Sequence, residues 1–131
     1  RSRDRRIIAE TLKDADHVAF LDRRVPQFEV WRHYAEHPFV LSPMGAGLDC
    51  HRTWETLLLG AIVVTRRSSL DPLCDGLAVW SVDDWREVLD PEALARQRDR
   101  LAPLTAREHV WSRLRMSAWI DRIRTETGVV R

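Results

Sequence analysis

At 131 residues the chain fits one domain and no more. With 44% apolar and 31% charged residues it can close a packed core, and this composition excludes a disordered chain. Basic and acidic residues nearly cancel at a net charge of +1, which argues against the concentrated basic face of a general nucleic-acid binder.

The first segment, "RSRDRRIIAETLKDAD", places Ile7, Ile8 and Leu12 at helical spacing and predicts a helix over 5–14. "HVAFL" (17–21) reads as a short buried strand. Pro26 stands at a first helical position, followed by Phe28, Trp31 and Tyr34 on roughly one face, and Pro38 stops that helix. "FVLS" (39–42) is a second strand. Asp49 is the expected N-cap of a helix that runs to Leu59 and stops at Gly60, with Trp54, Leu57 and Leu58 on its core side.

"AIVVT" (61–65) is apolar on both faces, as in a parallel sheet covered on two sides. A helical turn near 70–74 and the Asp75–Gly76 turn lead into a fourth strand at 77–82. Asp83 is the expected cap of a short helix over 83–89, and Pro91 opens another to about Ala102. Pro103 and Thr105 open a long final helix to about Thr127, ended by Gly128. Trp111, Leu114 and Ala118 give it an apolar stripe, with Ile120 and Ile123 beside it. Strands alternating with helices at this spacing predict a small α/β domain with a mostly parallel sheet of about four short strands and a long C-terminal helix.

Several features carry no site. Cys50 and Cys74 are too few for a disulfide framework or a Cys-based zinc centre, and free thiols are the expectation. The five histidines show no HExxH or comparable metal spacing, and no metal is expected. "DAD" (14–16) precedes a hydrophobic run instead of following one, unlike a metal-binding DxD. The tryptophans are expected in the core. Lys13 is the one lysine among the basic residues. Such arginine use reflects GC-rich coding or marks a phosphate or carboxylate site, because the guanidinium fork suits both. No apolar stretch is long enough to span a membrane. The sequence starts at Arg1, which suggests a single domain over 1–131 cut from a longer protein; any membrane anchor would lie outside it.

The strand–loop–helix at 42–60 is the one chemically suggestive element. Glycines let backbone N–H groups approach a ligand, and a helix start offers unpaired donors and the positive end of its dipole. Gly45 and Gly47 lie in the loop and Arg52 in the first turn, where it can pair with phosphate in a bidentate way. His51 and Glu55 share its side of the helix, and a carboxylate there suits ribose hydroxyls. The loop is neither a Walker A motif nor GxGxxG. An ordinary turn with Arg52 and Glu55 as a surface ion pair, worth under about 1 kcal/mol, accounts for the same spacing.

The segment "FVLSPMGAGLDCHRTWETLLLGAIVVTRRSSLDPL" resembles the nucleotide-sugar-binding half of exostosin-like glycosyltransferases of the GT-B type. Phe39, Leu41, Pro43, Gly45, Gly47, Asp49, Arg52, Trp54, Glu55, Leu57, Gly60, Ile62, Val63 and Val64 fall in register without a gap. Thr56 stands where the family has a small alanine, and Val63 where it often has proline. The resemblance covers roughly 28–102 and is densest over 39–64.

It implies a Rossmann-like half of a GT-B fold and a nucleoside-diphosphate sugar, UDP- or GDP-linked, as donor substrate, with no permanently bound cofactor. Gly45, Ala46 and Gly47 would approach the diphosphate, Arg52 would neutralise it, Glu55 would hold the ribose, and His51 would reach phosphate or sugar. No general base stands out, since in this class it comes from the acceptor domain, so no catalytic residue is assigned. The acceptor, a glycan or protein, would be presented by that missing domain, and the fragment alone is expected to be inactive. Two other readings remain open: a non-catalytic α/β interaction module whose helix over 104–127 docks on a partner, and a Rossmann-like domain for another phosphorylated ligand.

Overall fold

The structure, a computed structural model, describes residues 3–21 and 23–128. It is an α/β layer built on an open three-stranded parallel sheet in the order β1 (Phe39–Leu41), β2 (Ile62–Arg66), β3 (Val79–Val82). Val40 pairs with Val63, and Val64 with Trp80, so the three strands run in step. Six α-helices are described: α1 (Arg3–Leu12), α2 (Gln27–Glu36), α3 (His51–Leu58), α4 (Pro91–Leu101), α5 (Arg107–Leu114) and α6 (Met116–Thr127). Single 3-10 turns occupy Asp71–Cys74, Trp85–Leu89 and Ala102–Thr105.

The central strand explains the core. Ile62, Val63 and Val64 are all at most 2% exposed, so successive side chains are buried on both sides of the sheet. That is the double coverage expected for a parallel sheet. Ile8 and Leu12 of α1, Leu57 of α3, Leu101 of α4 and Val110 of α5 close over it, with Trp85 beneath. Helix α1 buries Asp4, Ile8 and Leu12, one residue per turn, so a single face meets the core.

Several expectations are corrected. Residues 17–21 form no strand. They leave α1 through a turn (Ala15 N–H to Leu12 O, Val18 N–H to Ala15 O), and His17 Nε2 donates to Val88 O at 2.9 Å. Phe20 and Leu21 stay more than 40% exposed, so a short apolar run here satisfies side-chain and loop contacts instead of a ladder, and the sheet has three strands.

The long final helix is broken. Arg115 is extended at ψ 147° and serves as N-cap of α6, and Ala102–Thr105 is a 3-10 turn. The break redirects α6 so that Trp119 and Arg122 reach Trp54 and Pro72. The expected stripe is only partly covered: Leu114 and Ala118 are half-buried, whereas Trp111 and Ile123 are more than half exposed.

Asp84, not Asp83, caps the turn after β3. Its carboxylate accepts from Arg86 N, while Glu87 Oε1 accepts from the Asp83 and Asp84 amides in a capping box. Asp49 is not the N-cap of α3, a position that Cys50 takes, and Leu58 is 47% exposed instead of facing the core. Of the six tryptophans, Trp80 and Trp85 are buried, Trp54 and Trp119 half-buried, and Trp31 and Trp111 exposed.

Candidate functional site

Residues 42–50 carry the chain from the carboxyl end of β1 to α3 without regular structure. The carboxyl edge of a parallel sheet is where ligands of open α/β layers sit, because loops diverge there and helices begin there. A crevice of about 40 Å³ opens at this edge. Ser42, Met44 and Thr53 line it with Trp54 on the α3 side, Thr65 and Arg66 at the end of β2, and Leu73 and Cys74 across from them.

Polar groups lie at and behind its lining. Ser42 Oγ and Thr53 Oγ1 are 2.9 Å apart and both residues are buried. Arg66 Nη1 reaches Asp4 Oδ1 at 3.3 Å, which ties α1 to the end of β2. Asp4 is 5% exposed and its second oxygen has no hydrogen-bond partner.

The N-terminus of α3 is open. Cys50 is extended and caps nothing with its side chain, although serine, threonine, aspartate or asparagine there would stabilise the helix. Asp49 Oδ1 instead accepts from Cys50 N and from Trp54 Nε1, both at 2.8 Å. Gly45 and Gly47 precede this terminus, and a Cβ on either would meet nothing within 4 Å. Neither has positive φ, so neither steric crowding nor backbone conformation within the chain demands a glycine. The space beside both is open.

At 100° per residue His51, Arg52 and Glu55 fall in one sector of α3, opposite the buried Thr53, Thr56 and Leu57. His51 is exposed, Arg52 and Glu55 half-buried. Arg52 Nε donates to the Tyr34 hydroxyl of α2 at 3.0 Å. Arg52 and Glu55 form no ion pair with each other or with any other described residue. Of the six residues expected at the site, Gly45, Ala46 and Gly47 lie in the loop before α3 and His51, Arg52 and Glu55 on its first turns, with Arg52 bonded to α2. None of them lines the crevice itself. Sequence reasoning missed Tyr34 as the partner of Arg52, the Ser42–Thr53 pair and the Asp49–Trp54 bond. The polar types were visible, but their pairing requires the tertiary fold.

A second cleft of about 460 Å³ runs along the outer edge of β3. The Val63 and Arg67 amides bond to Ala78 O and Val82 O, which turns the Val79 and Ser81 main chain outward into this cleft. Its charged lining is largely self-paired. Arg67 binds Asp83 at 2.8 Å and Asp71 at 3.7 Å, and the Asp83 hydrogen bond, then its charge, raises the Arg67 pKa. Arg100 is held by Gln97.

The Cys74 thiol, half-buried between crevice and cleft, is pushed up by burial and then by Asp71, Asp49 and Asp75. Both cysteines are free. Among the described residues no group of three or more His, Cys, Asp and Glu is placed to hold a metal ion, and no helix is long and apolar enough to cross a membrane. No protein-family model, no curated protein and no solved structure matches this chain.

Proposed function

We propose that the chain binds a nucleoside-diphosphate sugar and serves as the donor-binding domain of an exostosin-like, GT-B-type glycosyltransferase. The observation that carries this reading is the uncapped start of α3 facing a loop with open space beside Gly45 and Gly47. Amides of the loop and of the first helical turn would accept the diphosphate. Arg52, engaged only with a neutral hydroxyl, retains a charge for phosphate, and Glu55, free of any ion pair, retains a carboxylate for the ribose. The gapless register of residues 39–64 with the family pattern supports the same assignment.

In this reading the bond between the anomeric carbon and the β-phosphate oxygen breaks, and the leaving nucleoside diphosphate takes the electron pair. Donors fixed at the helix start stabilise that developing charge, the main electrostatic demand of the reaction. In the same reading the acceptor hydroxyl, of a glycan or a protein, forms the new bond to the anomeric carbon and gives its proton to a base that a separate acceptor domain would supply.

Titration calorimetry of the full chain with UDP, GDP and inorganic phosphate tests the reading. UDP or GDP should bind more tightly than phosphate, and Arg52→Ala and Glu55→Gln should each weaken binding by about tenfold, the value of one charge-assisted contact. Absence of binding by a folded sample, or binding unchanged in both variants, overturns it. Phosphate alone binding as well as UDP would favour a domain for another phosphorylated ligand. A second reading, an interaction module, draws on the exposed Met116, Ile120 and Ile123 of α6.

A further inference from the structure

Helix α6 touches both walls of the crevice. On the α3 wall Trp119 meets Trp54 edge to face, with ring centroids 6.2 Å apart at 81°. At the Asp71–Cys74 turn, whose Asp71, Leu73 and Cys74 line the crevice, Arg122 Nη2 donates to Pro72 O at 2.8 Å. Arg122 Cζ also lies 5.8 Å from the Trp119 ring centroid, a cation–π distance, so one pair of side chains joins the two contacts. Glu126 Oε1 accepts from Arg122 Nε at 2.8 Å and fixes the guanidinium plane.

The α3 wall is tied onward to the candidate site, and the other to the crevice itself. The Trp54 indole N–H is bonded to Asp49, the residue that leads from the glycine loop into α3. Pro72 belongs to the 3-10 turn that supplies Leu73 and Cys74 to the crevice. Helix α5 reinforces that turn: Arg113 Nη2 donates to Asp75 O at 2.9 Å and His109 Nε2 to Gly76 O at 2.7 Å. Three donors thus hold three carbonyls within the 72–76 segment. A parallel crossover of this length, with a single 3-10 turn inside it, has little rigidity of its own.

We infer that α6 is a strap that sets the separation of the two crevice walls, with Trp119 and Arg122 as positioning residues that act through Trp54 and Asp49 on the start of α3, where the phosphorylated ligand is proposed to bind. This rests on the nucleotide reading above. Neither residue lines the crevice, so each acts through the wall it holds. The two anchors lie three residues apart, on one side of the same helix, so loss of either frees one wall relative to the other.

The test compares Arg122→Ala and Arg122→Lys in the full chain, with UDP and GDP as probes and amide hydrogen exchange as an independent readout. Arg122→Ala should weaken nucleotide binding by about tenfold, within the range of coupling between sites. It should also speed exchange at Leu73 and Asp75, whose amides bond to Leu70 O and Pro72 O, by about tenfold, while the Val63 amide in the central strand keeps wild-type protection. Arg122→Lys, which still presents a donor to Pro72 O, should restore both. Wild-type exchange at Leu73 and Asp75 in Arg122→Ala, faster exchange spread to Val63, or a lysine variant as impaired as the alanine overturns the strap. If the wild-type chain binds neither nucleotide, the nucleotide reading falls and the exchange results alone decide whether α6 holds the walls.

Discussion

Ser42 and Thr53 share a hydrogen bond of 2.9 Å beneath the crevice, where they are 3% and 7% exposed. The bond joins the residue after β1 to the first turn of α3, so it fixes how the helix start sits on the strand end. Removing one hydroxyl leaves the other buried without a partner. Thr53→Val should therefore cost about 1–3 kcal/mol of stability. Ser42→Ala should cost a similar amount, and the double variant less than the sum of the two. Urea unfolding of the four proteins reads the coupling, and strict additivity would show that the hydroxyls do not depend on each other.

The glycines divide into two classes. Gly76 has φ +73°, and a Cβ there would lie 1.8 Å from Arg113 Nη2. Gly76→Ala should cost about 1–2 kcal/mol, from the left-handed backbone and the displaced guanidinium. Gly45→Ala and Gly47→Ala have open space and no positive φ, so their melting temperatures should match wild type or rise slightly. Under the proposed nucleotide reading, UDP and GDP affinity should nonetheless fall in both, because the added methyl would stand where the diphosphate is proposed to lie. Scanning calorimetry paired with ligand titration separates the two effects. Full affinity in both variants would remove the glycine loop from the site.

How much of this was legible in the sequence depends on the range of the forces involved. The strands at 39–41, 62–66 and 79–82 show in the β-branched and apolar runs, and Pro38, Pro91 and Gly128 punctuate helices where expected. "HVAFL" was indistinguishable from these by composition; only the exposure of Phe20 and Leu21 and the His17–Val88 bond, both tertiary, separate it. The break at Arg115 has no glycine or proline to announce it. Beyond it, α6 meets Trp54 and Pro72, contacts that only the tertiary fold reveals. In the candidate site the shared sector of His51, Arg52 and Glu55 followed from helical periodicity alone. Tyr34 as the partner of Arg52, 18 residues away, did not.

Asp84 and Asp49 offer a contrast in capping. Both precede short helical segments, but the Asp84 carboxylate accepts from Arg86 N inside a capping box, whereas Asp49 accepts from Cys50 N and Trp54 Nε1. Asp84→Ala should cost about 1 kcal/mol, with its effect confined to the turn over Trp85–Leu89. Asp49→Ala should release the Trp54 indole instead, loosening its edge-to-face contact with Trp119 at similar or smaller cost. Cys50→Ser should stabilise α3 by supplying the missing cap, by about 0.5–1 kcal/mol, and under the proposed nucleotide reading it would compete with phosphate for the first-turn amides. Chemical denaturation ranks the three variants, and a destabilised Cys50→Ser would mean that the helix start is already satisfied.

Cys74 gives the domain a defined alkaline weakness. Burial, and then the charges of Asp71, Asp49 and Asp75, hold its thiol above the usual range. The folded chain keeps this proton to higher pH than the unfolded chain, whose thiol ionises near about 8.5. Between those two values the unfolded state binds fewer protons, so unfolding becomes easier as pH rises. The stabilising contribution is thus complete below the ordinary thiol range and is lost as pH rises from there through the raised value of the folded chain. Cys74→Ala removes this dependence while leaving Cys50 and the other alkaline groups in place. Melting temperatures at pH 7 and pH 10 should therefore fall further for wild type than for Cys74→Ala. Alkylation of Cys74 by iodoacetamide at neutral pH should be slow, since the thiolate is the reactive form. Equal alkaline losses in the two proteins, or rapid alkylation at pH 7, would show that the thiol ionises as freely as one in water.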